Sequence, residues 1–467
     1  MNTKIGIWGF GVVGKSALSY FVAKGATVQV LDQRILSPQE KELLISNNIP
    51  FYNHEYLSQF LEYNDYILPS CGIDLKPYDS WNHKWLSELD LFWEECKKPI
   101  IAITGSVGKT TITHILSQLL QKQSLSIFTG GNIGVGLLES IEQANAADYI
   151  VLEVSSFQLE RCRQFTPFLF IITNIFPNHI DRHGSFDEYA NAKLKVLSYQ
   201  TKNTIALLPV SLFPLVQNRR LKGRLAFFSS SCDSSFSHEF YEYFFLQNLE
   251  IFKSYQTNTF LITSFYNIPD NLYLENLLII VAIMDIIGLP KNGILSYLAQ
   301  IIIPEHRMEK VAQVNAITFY NDSKSTIVQS TLAAIKKINN KPIILFLGGI
   351  SKGVDRSPLI DQIKNEVRFV YCFGAEANQL KAFCDNFALA NLKCTTLEEA
   401  FLDLPQRLKD GDQVLFSPAG ASYDLYSNYR ERGNCFKKLV YMLMEDMKSK
   451  NYMPLNFELH DNTKKTA

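Results

Sequence analysis

The sequence predicts an α/β protein of several domains, each built on a parallel sheet with helices on both faces. Its 467 residues exceed the roughly 100–200 residues of one domain, so two to four separate cores are expected. Strand-like and helix-like segments alternate along the chain, which favours parallel sheets. This rhythm restarts three times, which predicts domains at 1–98, 99–304 and 305–447 and a flexible tail at 448–467.

Composition and charge exclude several classes of protein. The chain has 45 lysines and arginines against 46 aspartates and glutamates, so we expect neither a nucleic-acid partner nor an anionic membrane partner. No uninterrupted apolar stretch approaches the roughly 20 residues of a membrane span, and the longest, 277–284, is interpreted as a buried helix. The eight cysteines form no C-x-x-C pair, and the N-terminus runs straight into a strand. These features predict a cytoplasmic protein with reduced thiols, which we expect to be a monomer.

The first segment opens with a strand at 4–9, a glycine turn and a helix, and its second strand at 27–31 stops at Asp32. The turn, Gly9-Phe10-Gly11-Val12-Val13-Gly14, fits the pattern G-x-G-x-x-G. Glycines at this spacing let the backbone approach a diphosphate at a helix N-terminus, which predicts a Rossmann-like domain. On this motif alone three interpretations stay open: a dinucleotide such as NAD, another nucleotide diphosphate, or a turn needed only for packing.

The second segment follows the charged stretch 94–99, which is interpreted as a linker, and its first strand lies at 100–104. A second glycine turn follows, Thr104-Gly105-Ser106-Val107-Gly108-Lys109-Thr110-Thr111, and then an amphipathic helix. Backbone N–H groups of such a turn wrap phosphate, Lys109 reaches the β- and γ-phosphates, and the Thr110 hydroxyl can hold Mg²⁺. Although Ile103 replaces the early glycine of the general pattern, the turn predicts a P-loop ATPase-like central domain whose residues 105–111 bind ATP.

The third segment has predicted strands near 316–320, 342–347, 367–373 and 413–416, with helices between them, and is interpreted as a second Rossmann-like domain. In the central segment, further strands are predicted at 149–154 and 169–174. The stretch 229–264 is rich in Ser, Phe and Tyr without a clean period, so no structure is predicted for it.

Further motifs carry a family resemblance. Those of the central segment are Gly130-Gly131-Asn132-Ile133-Gly134, Glu153-Val154-Ser155-Ser156-Phe157-Gln158-Leu159, Asn178-His179-Ile180-Asp181-Arg182-His183 and Tyr189-Ala190-Asn191-Ala192-Lys193. With the phosphate turn they resemble the Mur ligase superfamily, the ATP-dependent amide-forming ligases of cell-wall precursor synthesis and folate polyglutamylation. Later motifs point to the ligases that add D-glutamate to UDP-N-acetylmuramoyl-L-alanine through an acyl phosphate. They are Glu305-His306-Arg307-Met308-Glu309, Asn321-Asp322-Ser323-Lys324-Ser325-Thr326, Ser351-Lys352-Gly353-Val354-Asp355 and Ser417-Pro418-Ala419-Gly420-Ala421-Ser422.

The resemblance implies a set of binding residues. In this family the N-terminal domain binds the UDP of the substrate rather than NAD. The implied contacts to the UDP-linked substrate come from Val12, Val13, Gln33, Arg34, Ser70, Gly72, Asn132 and His179. Beyond the phosphate turn, the implied ATP contacts come from Asn276, Arg307 and Asp322, with the C-terminal domain closing over the nucleotide. The implied contacts to D-glutamate come from Lys324, Thr326, Lys352, Ser422 and Tyr429.

The predicted catalytic residues are Lys109, His179 and Lys193, and two Mg²⁺ ions are expected. Glu153 suits a Mg²⁺ ligand beside Thr110, because it ends a strand after the phosphate turn. By resemblance, His179 contacts the second ion or the substrate, and Lys193 matches a lysine that CO₂ carbamylates. An alternative is a zinc site at His179, Asp181 and His183.

The chain departs from the family pattern at a few positions. Val107, Cys71, Asn178 and Ile327 replace residues that relatives usually carry, and they leave the shape of the uridine and glutamate pockets open. Three rival functions remain: another amino-acid or folylpolyglutamate ligase of the superfamily, an NAD-dependent dehydrogenase, and a catalytically inactive binding protein. The dehydrogenase leaves Lys109 and Glu153 unexplained, and the retained catalytic residues argue against an inactive protein.

Overall fold

The computed structural model describes residues 3–233, 236, 240–256, 258–265, 268, 272–290, 294–298, 300–338, 342–449 and 457–459. The chain divides into two compact units. The first comprises Met1–Ile175 and Asp187–Ile302, and the second comprises Phe176–Phe186 and Ile303–Ala467. Over these described ranges, no helix combines the length and apolar character that crossing a bilayer would require.

The first unit begins with a small parallel sheet. Its strands are β1 (Lys4–Trp8), β2 (Thr27–Leu31), β3 (Phe51–Tyr52) and β4 (Tyr66–Pro69), and its helices are α1 (Val12–Ala23), α2 (Pro38–Ser46), α3 (Leu57–Tyr63) and α4 (Glu88–Glu95). The strand order is β3-β2-β1-β4. Because β4 pairs in parallel with β1, the turn after β1 opens beside the end of β4. The linker predicted at 94–99 is wrong for Glu94 and Glu95, which end α4. That helix extends so far because its Leu89 and Phe92 pack into the core.

A nine-stranded sheet follows in the first unit. Its strands are β5 (Ile100–Thr104), β6 (Ile127–Gly131), β7 (Tyr149–Glu153), β8 (Leu169–Ile172), β9 (Ile205–Pro209), β10 (Arg224–Ser229), β11 (Glu242–Gln247), β12 (Glu250–Tyr255) and β13 (Asn258–Ser264). The helices over 109–298 are α5 (Lys109–Lys122), α6 (Ile141–Ala146), α7 (Ser156–Arg161), α8 (Ile180–His183), α9 (Phe186–Leu194), α10 (Phe213–Val216), α11 (Leu274–Ile286) and α12 (Ile294–Leu298). The strand order is β13-β12-β11-β10-β9-β8-β5-β7-β6. Helix α8 and Phe186 belong to the second unit.

The stretch 229–264, for which no structure was predicted, contains the antiparallel edge of this sheet. Strand β12 pairs antiparallel with both β11 and β13, whereas β11 pairs in parallel with β10. Aromatic rings such as Phe245 and Phe252 stack between neighbouring strands. Apolar residues therefore do not simply alternate with polar ones along these strands, which hides the period of two that identifies a strand.

The second unit holds a seven-stranded sheet. Its strands are β14 (Glu309–Val314), β15 (Ile317–Asn321), β16 (Ile343–Gly348), β17 (Val367–Phe373), β18 (Asn391–Cys394), β19 (Gln413–Phe416) and β20 (Phe457–Leu459), and its other helices are α13 (Val328–Ile338), α14 (Ser357–Ile363), α15 (Ala377–Asn386), α16 (Leu397–Arg407) and α17 (Tyr429–Ser449). The strand order is β18-β17-β16-β19-β15-β14-β20, and only β14 pairs antiparallel with its neighbours. Strand β20 lies within the predicted tail, whose residues 450–456 and 460–467 fall outside the described residues.

The buried residues explain why these elements pack together. One hydrophobic cluster joins the first two sheets and includes Ile7, Phe92, Phe128 and Leu152. The predicted buried helix at 277–284 is confirmed within α11, where all eight of these residues are buried. The predicted α/β class, dominated by parallel sheets, is confirmed, while the boundaries of the three domains stay a prediction.

Candidate active site

The phosphate turn at the carboxyl end of β5 is shaped by residues that follow β8. Gly105 has a φ of +147°, and a Cβ there would lie 1.9 Å from the Thr173 hydroxyl oxygen, so only glycine fits. The Thr173 hydroxyl donates to the Val107 carbonyl at 2.6 Å, and the Val107 N–H donates to the Asn174 amide oxygen at 2.9 Å. Sequence analysis assigned no role to Thr173 or Asn174. Their position just after a strand parallel to β5 was the available signal.

Two lysines converge on this turn. The Lys109 ammonium donates to the carbonyl oxygens of Gly105 at 2.7 Å and Ser106 at 3.3 Å. The Lys193 side chain, on α9, is 1% exposed. Its Nζ donates to the Thr104 hydroxyl at 3.2 Å and to the same Gly105 carbonyl at 3.1 Å. The structure therefore brings together two predicted catalytic residues that lie 84 positions apart in the chain.

The charges around Lys193 change its titration. Burial lowers the pKa of Lys193 well below its usual value, the nearby Lys109 lowers it further, and the Glu153 carboxylate opposes both effects. Glu153 ends β7, which pairs with β5, and it is buried. Its Oε1 accepts a hydrogen bond from the Asn132 side chain at 2.9 Å. The arrangement places a buried amine, an ammonium and a carboxylate at one edge of the second sheet.

Other predicted ATP residues of the first unit lie around the same turn. Thr110 and Thr111 begin α5 and are 4% exposed. The Ser106 hydroxyl lies 2.9 Å from the Tyr189 hydroxyl. The Asn276 amide oxygen lies 3.1 Å from the position that a Cβ would take at Gly108, so Asn276 packs against the turn. Its predicted role beside adenine stays a prediction.

The glycine turn after β1 is held by a carboxylate. Asp32, just after β2, accepts hydrogen bonds from the Phe10 N–H at 2.7 Å and the Arg34 N–H at 2.8 Å. The Arg34 guanidinium donates to Asp32 at 3.0 Å and to the Phe10 carbonyl at 3.3 Å. Burial acts to raise the pKa of Asp32, but these donors outweigh it and lower the pKa. The carboxylate that the dehydrogenase interpretation would assign to a ribose instead fixes the turn.

Side chains predicted to bind the UDP-linked substrate surround this turn. Val12 is 59% exposed at the start of α1, Gln33 is exposed, and the Arg34 side chain is 57% exposed. The Ser70 hydroxyl donates to the Gly9 carbonyl at 3.1 Å, because β4 and β1 end side by side. Val13 is half-buried, and Gly72 is exposed on the loop that follows β4.

In the second unit, Asp322 follows β15 and is buried among donors. The Met308 N–H donates to Oδ1 at 3.2 Å, and the hydroxyls of Ser417 and Ser325 donate to Oδ2. Burial raises the pKa of Asp322 to about 6, although these hydroxyls and the charge of Arg307 act to lower it. Arg307 is partly exposed. The implied contacts of Arg307 and Asp322 to ATP stay a prediction.

The Asn321 side chain, at the end of β15, contacts the segment Glu305–Glu309. Its Nδ2 lies 2.8 Å from His306 Nδ1 and donates to Glu309 Oε2 at 3.1 Å. Lys437, on α17, donates to the other Glu309 oxygen at 2.7 Å. Burial lowers the pKa of His306, and the nearby glutamates oppose this shift. This buried network fixes the backbone next to Arg307.

The residues predicted to hold D-glutamate form two contacts in the second unit. The Lys352 ammonium donates to the Thr326 hydroxyl at 3.3 Å, and Lys324 lies 4.9 Å from the centre of the Tyr429 ring. Ser422 is 3% exposed and follows β19. His179 precedes α8 in the same unit, and the N–H of Asp181, two residues further on, donates to the Lys352 carbonyl at 3.4 Å.

Two buried arginines that sequence analysis did not assign support these loops. Arg356 donates to the carbonyls of Gly348 at 3.0 Å and Gly349 at 3.3 Å, and it pairs with Glu376. Arg432 donates to the carbonyls of Gly420 at 3.0 Å and Ser323 at 2.7 Å. Burial lowers the pKa of Arg432 to about 10. Nothing in the sequence indicates that Arg432 contacts Ser323, which lies more than a hundred residues away.

The oxygen donors of the first unit fit a hard divalent cation such as Mg²⁺. Thr110 offers a hydroxyl and Glu153 a carboxylate, and both are buried beside the phosphate turn. The amine of Lys193 offers no oxygen and would fit such an ion only as a carbamate. Over the described residues, no three His, Cys, Asp or Glu side chains gather to hold a metal. The zinc alternative at His179, Asp181 and His183 is therefore not supported.

Comparisons with protein families cover most of the chain. Residues 3–91 match the MurD-like N-terminal domain of Mur ligases. Residues 103–283 match the Mur ligase middle domain, and residues 306–420 match the Mur ligase glutamate ligase domain.

Individual proteins are similar along nearly their whole length. A protein from Lawsonia intracellularis named UDP-N-acetylmuramoylalanine–D-glutamate ligase is 31% identical, over 95% of each chain. A protein of the same name from Desulfotalea psychrophila is 32% identical, over 95% of this chain and 97% of its own. Among solved structures, MurF ligase from Thermotoga maritima in complex with ADP matches 96% of each chain with a TM-score of 0.56 and 16% identity. That likeness concerns the fold.

Proposed function

Since the chain belongs to the Mur ligase family, we propose that it joins D-glutamate to UDP-N-acetylmuramoyl-L-alanine at the expense of ATP. The reaction is a cytoplasmic step of peptidoglycan precursor synthesis and releases ADP and phosphate. One observation carries this proposal: relatives named for that reaction match 95% of the chain at 31–32% identity.

Amide formation sets the chemical demands on the site. A carboxylate oxygen is a poor leaving group, so the alanyl carboxylate first takes the γ-phosphoryl group of ATP and becomes an acyl phosphate. The D-glutamate amine then attacks the acyl carbon, and phosphate leaves. Two anions must approach each other before the first step, so cationic groups and water exclusion supply most of the stabilisation.

The phosphate turn supports binding and activation of ATP. The turn runs directly into the N-terminus of α5, where the helix dipole favours an anion. Lys109 already lies over the turn through the carbonyls of Gly105 and Ser106. In the complex we assign its ammonium to the β- and γ-phosphate oxygens, where it offsets the charge that develops during transfer.

The buried Lys193 supports an anion-forming role. A lowered pKa increases the fraction of the amine that is neutral, and the neutral amine is the form that reacts with CO₂ to give a carbamate. We assign Thr110 and Glu153 to one Mg²⁺ ion, the carbamate oxygens of Lys193 to the second ion, and His179 to the second ion or the substrate. A bound divalent cation neutralises phosphate charge in such a site. The chain's own part is to present buried oxygen donors beside the phosphate turn.

The second unit supports recognition of a dianionic amino acid. Lys324 and Lys352 supply positive charge, and the hydroxyls of Thr326, Ser422 and Tyr429 supply donors for carboxylate oxygens. The buried Arg356 and Arg432 donate to backbone carbonyls in the loops near Lys352, Ser422 and Lys324. We assign these five side chains to D-glutamate, and Arg307 with Asp322 to ATP.

A phosphate-release assay with the purified protein tests the proposal. With ATP, Mg²⁺ and UDP-N-acetylmuramoyl-L-alanine, we expect release only when D-glutamate is added, and the product mass should include isotope-labelled D-glutamate. Parallel reactions offer L-glutamate, L-lysine and meso-diaminopimelate. Turnover with one of these and none with D-glutamate would identify another ligase of the superfamily. No ATP consumption with any of them would overturn the ligase assignment.

A further inference from the structure

We propose that Arg161 is a positioning residue for the UDP-linked substrate. Its guanidinium fixes the loop Ser70–Ile73, which carries two of the residues assigned to that substrate. This inference rests on the proposed function and extends it to a side chain for which neither the motifs nor the family resemblance gave a role.

The Arg161 guanidinium binds the backbone carbonyl oxygens of the loop. Nη1 donates to the carbonyl oxygens of Pro69 at 2.9 Å and Ser70 at 2.8 Å. Nη2 donates to the carbonyl oxygen of Ile73 at 2.5 Å, and the Cys71 carbonyl lies 3.5 Å away. One rigid, planar cation thus orients the carbonyls on both sides of Gly72, which determines the path of the loop.

The loop in turn touches the glycine turn after β1. The Ser70 N–H donates to the Trp8 carbonyl at 2.7 Å, and the Ser70 hydroxyl donates to the Gly9 carbonyl at 3.1 Å. A Cβ at Gly9 would lie 2.4 Å from the Ser70 hydroxyl oxygen, so the two segments are in close contact. A shift of the Ser70–Ile73 loop would therefore move one wall of the proposed diphosphate site.

Arg161 comes from a rigid element of the neighbouring sheet. It ends α7, which begins three residues after Glu153, the last residue of β7. Ser155 and Gln158 form reciprocal capping hydrogen bonds at the start of α7. Gln158 and Leu159 are buried, which fixes the direction of the short helix. Arg161 thus positions the Ser70–Ile73 loop relative to β7, which carries the proposed metal ligand Glu153. We infer that this contact helps to orient the UDP-linked substrate relative to ATP.

Arg163 offers a matched control. Like Arg161, it extends from the same part of the second sheet to the N-terminal segment, where its guanidinium donates to the Asn82 carbonyl. Asn82 lies outside the Ser70–Ile73 loop. Loss of Arg163 therefore removes a similar arginine–carbonyl contact but leaves the contacts of the Ser70–Ile73 loop intact.

The test compares Arg161→Met, Arg161→Lys and Arg163→Met with the unaltered protein. Losing charged hydrogen bonds that preorganise the loop should raise the KM for UDP-N-acetylmuramoyl-L-alanine about tenfold in Arg161→Met. The KM values for ATP and D-glutamate should stay within about twofold, since their assigned sites are untouched. Arg161→Lys should fall between, because an ammonium reaches fewer carbonyls at once, and Arg163→Met should match the unaltered protein.

If Arg161 only stabilised the fold, Arg161→Met would contain less active protein, so kcat would fall while the three KM values stayed unchanged. That result would overturn the proposal. An unchanged KM in Arg161→Met would also overturn it. If Arg161→Met does not fold, an unchanged KM in Arg161→Lys has the same meaning. Binding of UDP measured by calorimetry separates the two proposals. An unaltered protein that makes no product refutes the function, whereas equal UDP affinity in all variants refutes the role of Arg161.

Discussion

The glycine turns after β1 and after β5 have the same place in their sheets but different charges around them. Each follows a central strand, opens a helix and has close-packed glycines. Around the first, the buried acidic side chain Asp32 binds backbone N–H groups of the turn itself. Around the second, Lys109 and Lys193 share one carbonyl oxygen, and Glu153 is close enough to influence Lys193.

The difference shows how one backbone arrangement serves two tasks. A glycine turn at a helix N-terminus provides N–H groups for any phosphate. What is done to that phosphate depends on the side chains that neighbouring strands bring to it. At the first turn the Arg34 guanidinium donates to the Phe10 carbonyl and pairs with Asp32, so the cation is matched by a carboxylate, which suits binding. At the second turn two lysine side chains donate to one carbonyl oxygen, with the Glu153 carboxylate nearby, which suits transfer.

Among the substitutions at the two turns, loss of Lys109 should have the largest effect on activity. Lys109→Ala deletes the cation assigned to the transferred phosphoryl group, so we expect kcat to fall more than about a thousandfold. UDP binding, measured by calorimetry, should not change. Lys122→Ala, at the other end of α5, is exposed and serves as the control. A loss of less than about tenfold would mean that the ATP site is misassigned.

Lys193→Ala should have the next largest effect. Without the proposed carbamate, kcat should fall by about a hundredfold or more, because one oxygen ligand is lost. Short-chain carboxylic acids that enter the space left by the side chain should restore part of the rate. Lys195→Ala is the control, because it removes a half-buried lysine whose Nζ donates to the Glu160 carbonyl. Its kcat should stay near that of the unaltered protein, and added acids should not change it. Equal rates with and without added acid would contradict carbamylation.

Asp32→Asn should affect the first turn alone. The amide cannot accept all the hydrogen bonds that the carboxylate accepts, so the turn should loosen and the KM for the UDP-linked substrate should rise about tenfold. The KM for ATP should stay constant. Asp65→Asn is the control, since Asp65 accepts the Lys4 N–H at the surface of the same sheet. A parallel rise in both KM values would show that the turns are not independent.

The same carboxylate predicts a pH dependence of stability. The folded-state pKa of Asp32 is lowered, so its stabilising contribution is present above the usual pKa of 3.8 and is lost as the pH falls through the folded value. Asp32→Asn lacks this contribution. In urea unfolding, the stability gap between the two proteins should shrink on acidification below pH 4.

Glu88→Gln should leave both turns working and change only stability. Burial raises the pKa of Glu88 to about 7, although hydrogen bonds from the Leu137 N–H and the Gln158 side chain act to lower it. The folded state therefore holds a proton that the unfolded state loses from pH 4.5 upwards, and stability falls as the pH rises through 7. Relative to the unaltered protein, Glu88→Gln should gain up to about 3 kcal/mol between pH 4.5 and 8.

Urea unfolding at several pH values measures this gain, and Glu142→Gln, an exposed carboxylate on α6, is the control. Stability curves for Glu88→Gln and the unaltered protein that stay parallel over this range would contradict the assignment of the proton to Glu88.

Local signals in the sequence were sufficient to predict many of the strands and helices and the class of reaction. The strands at 27–31, 100–104, 367–373 and 413–416 were predicted with their observed bounds. This succeeded because apolar runs bounded by glycine or charge are local signals. The residues assigned to phosphate, metal and glutamate were placed by motifs, and motifs are local too.

Which distant segments meet became visible only in the folded chain. The pairing of β1 with β4 places Ser70 against Gly9, and the pairing of β5 with β8 places Thr173 against Gly105. Arg161 donates to the carbonyls of Pro69 and Ser70, and Arg432 to that of Ser323, all far away in sequence, and no periodicity records a side chain's distant partner. Strand β20 likewise exists through its pairing with β14. Sheet order is fixed by the burial of whole faces, a property of the complete chain, so the supports of both turns became visible only in the fold.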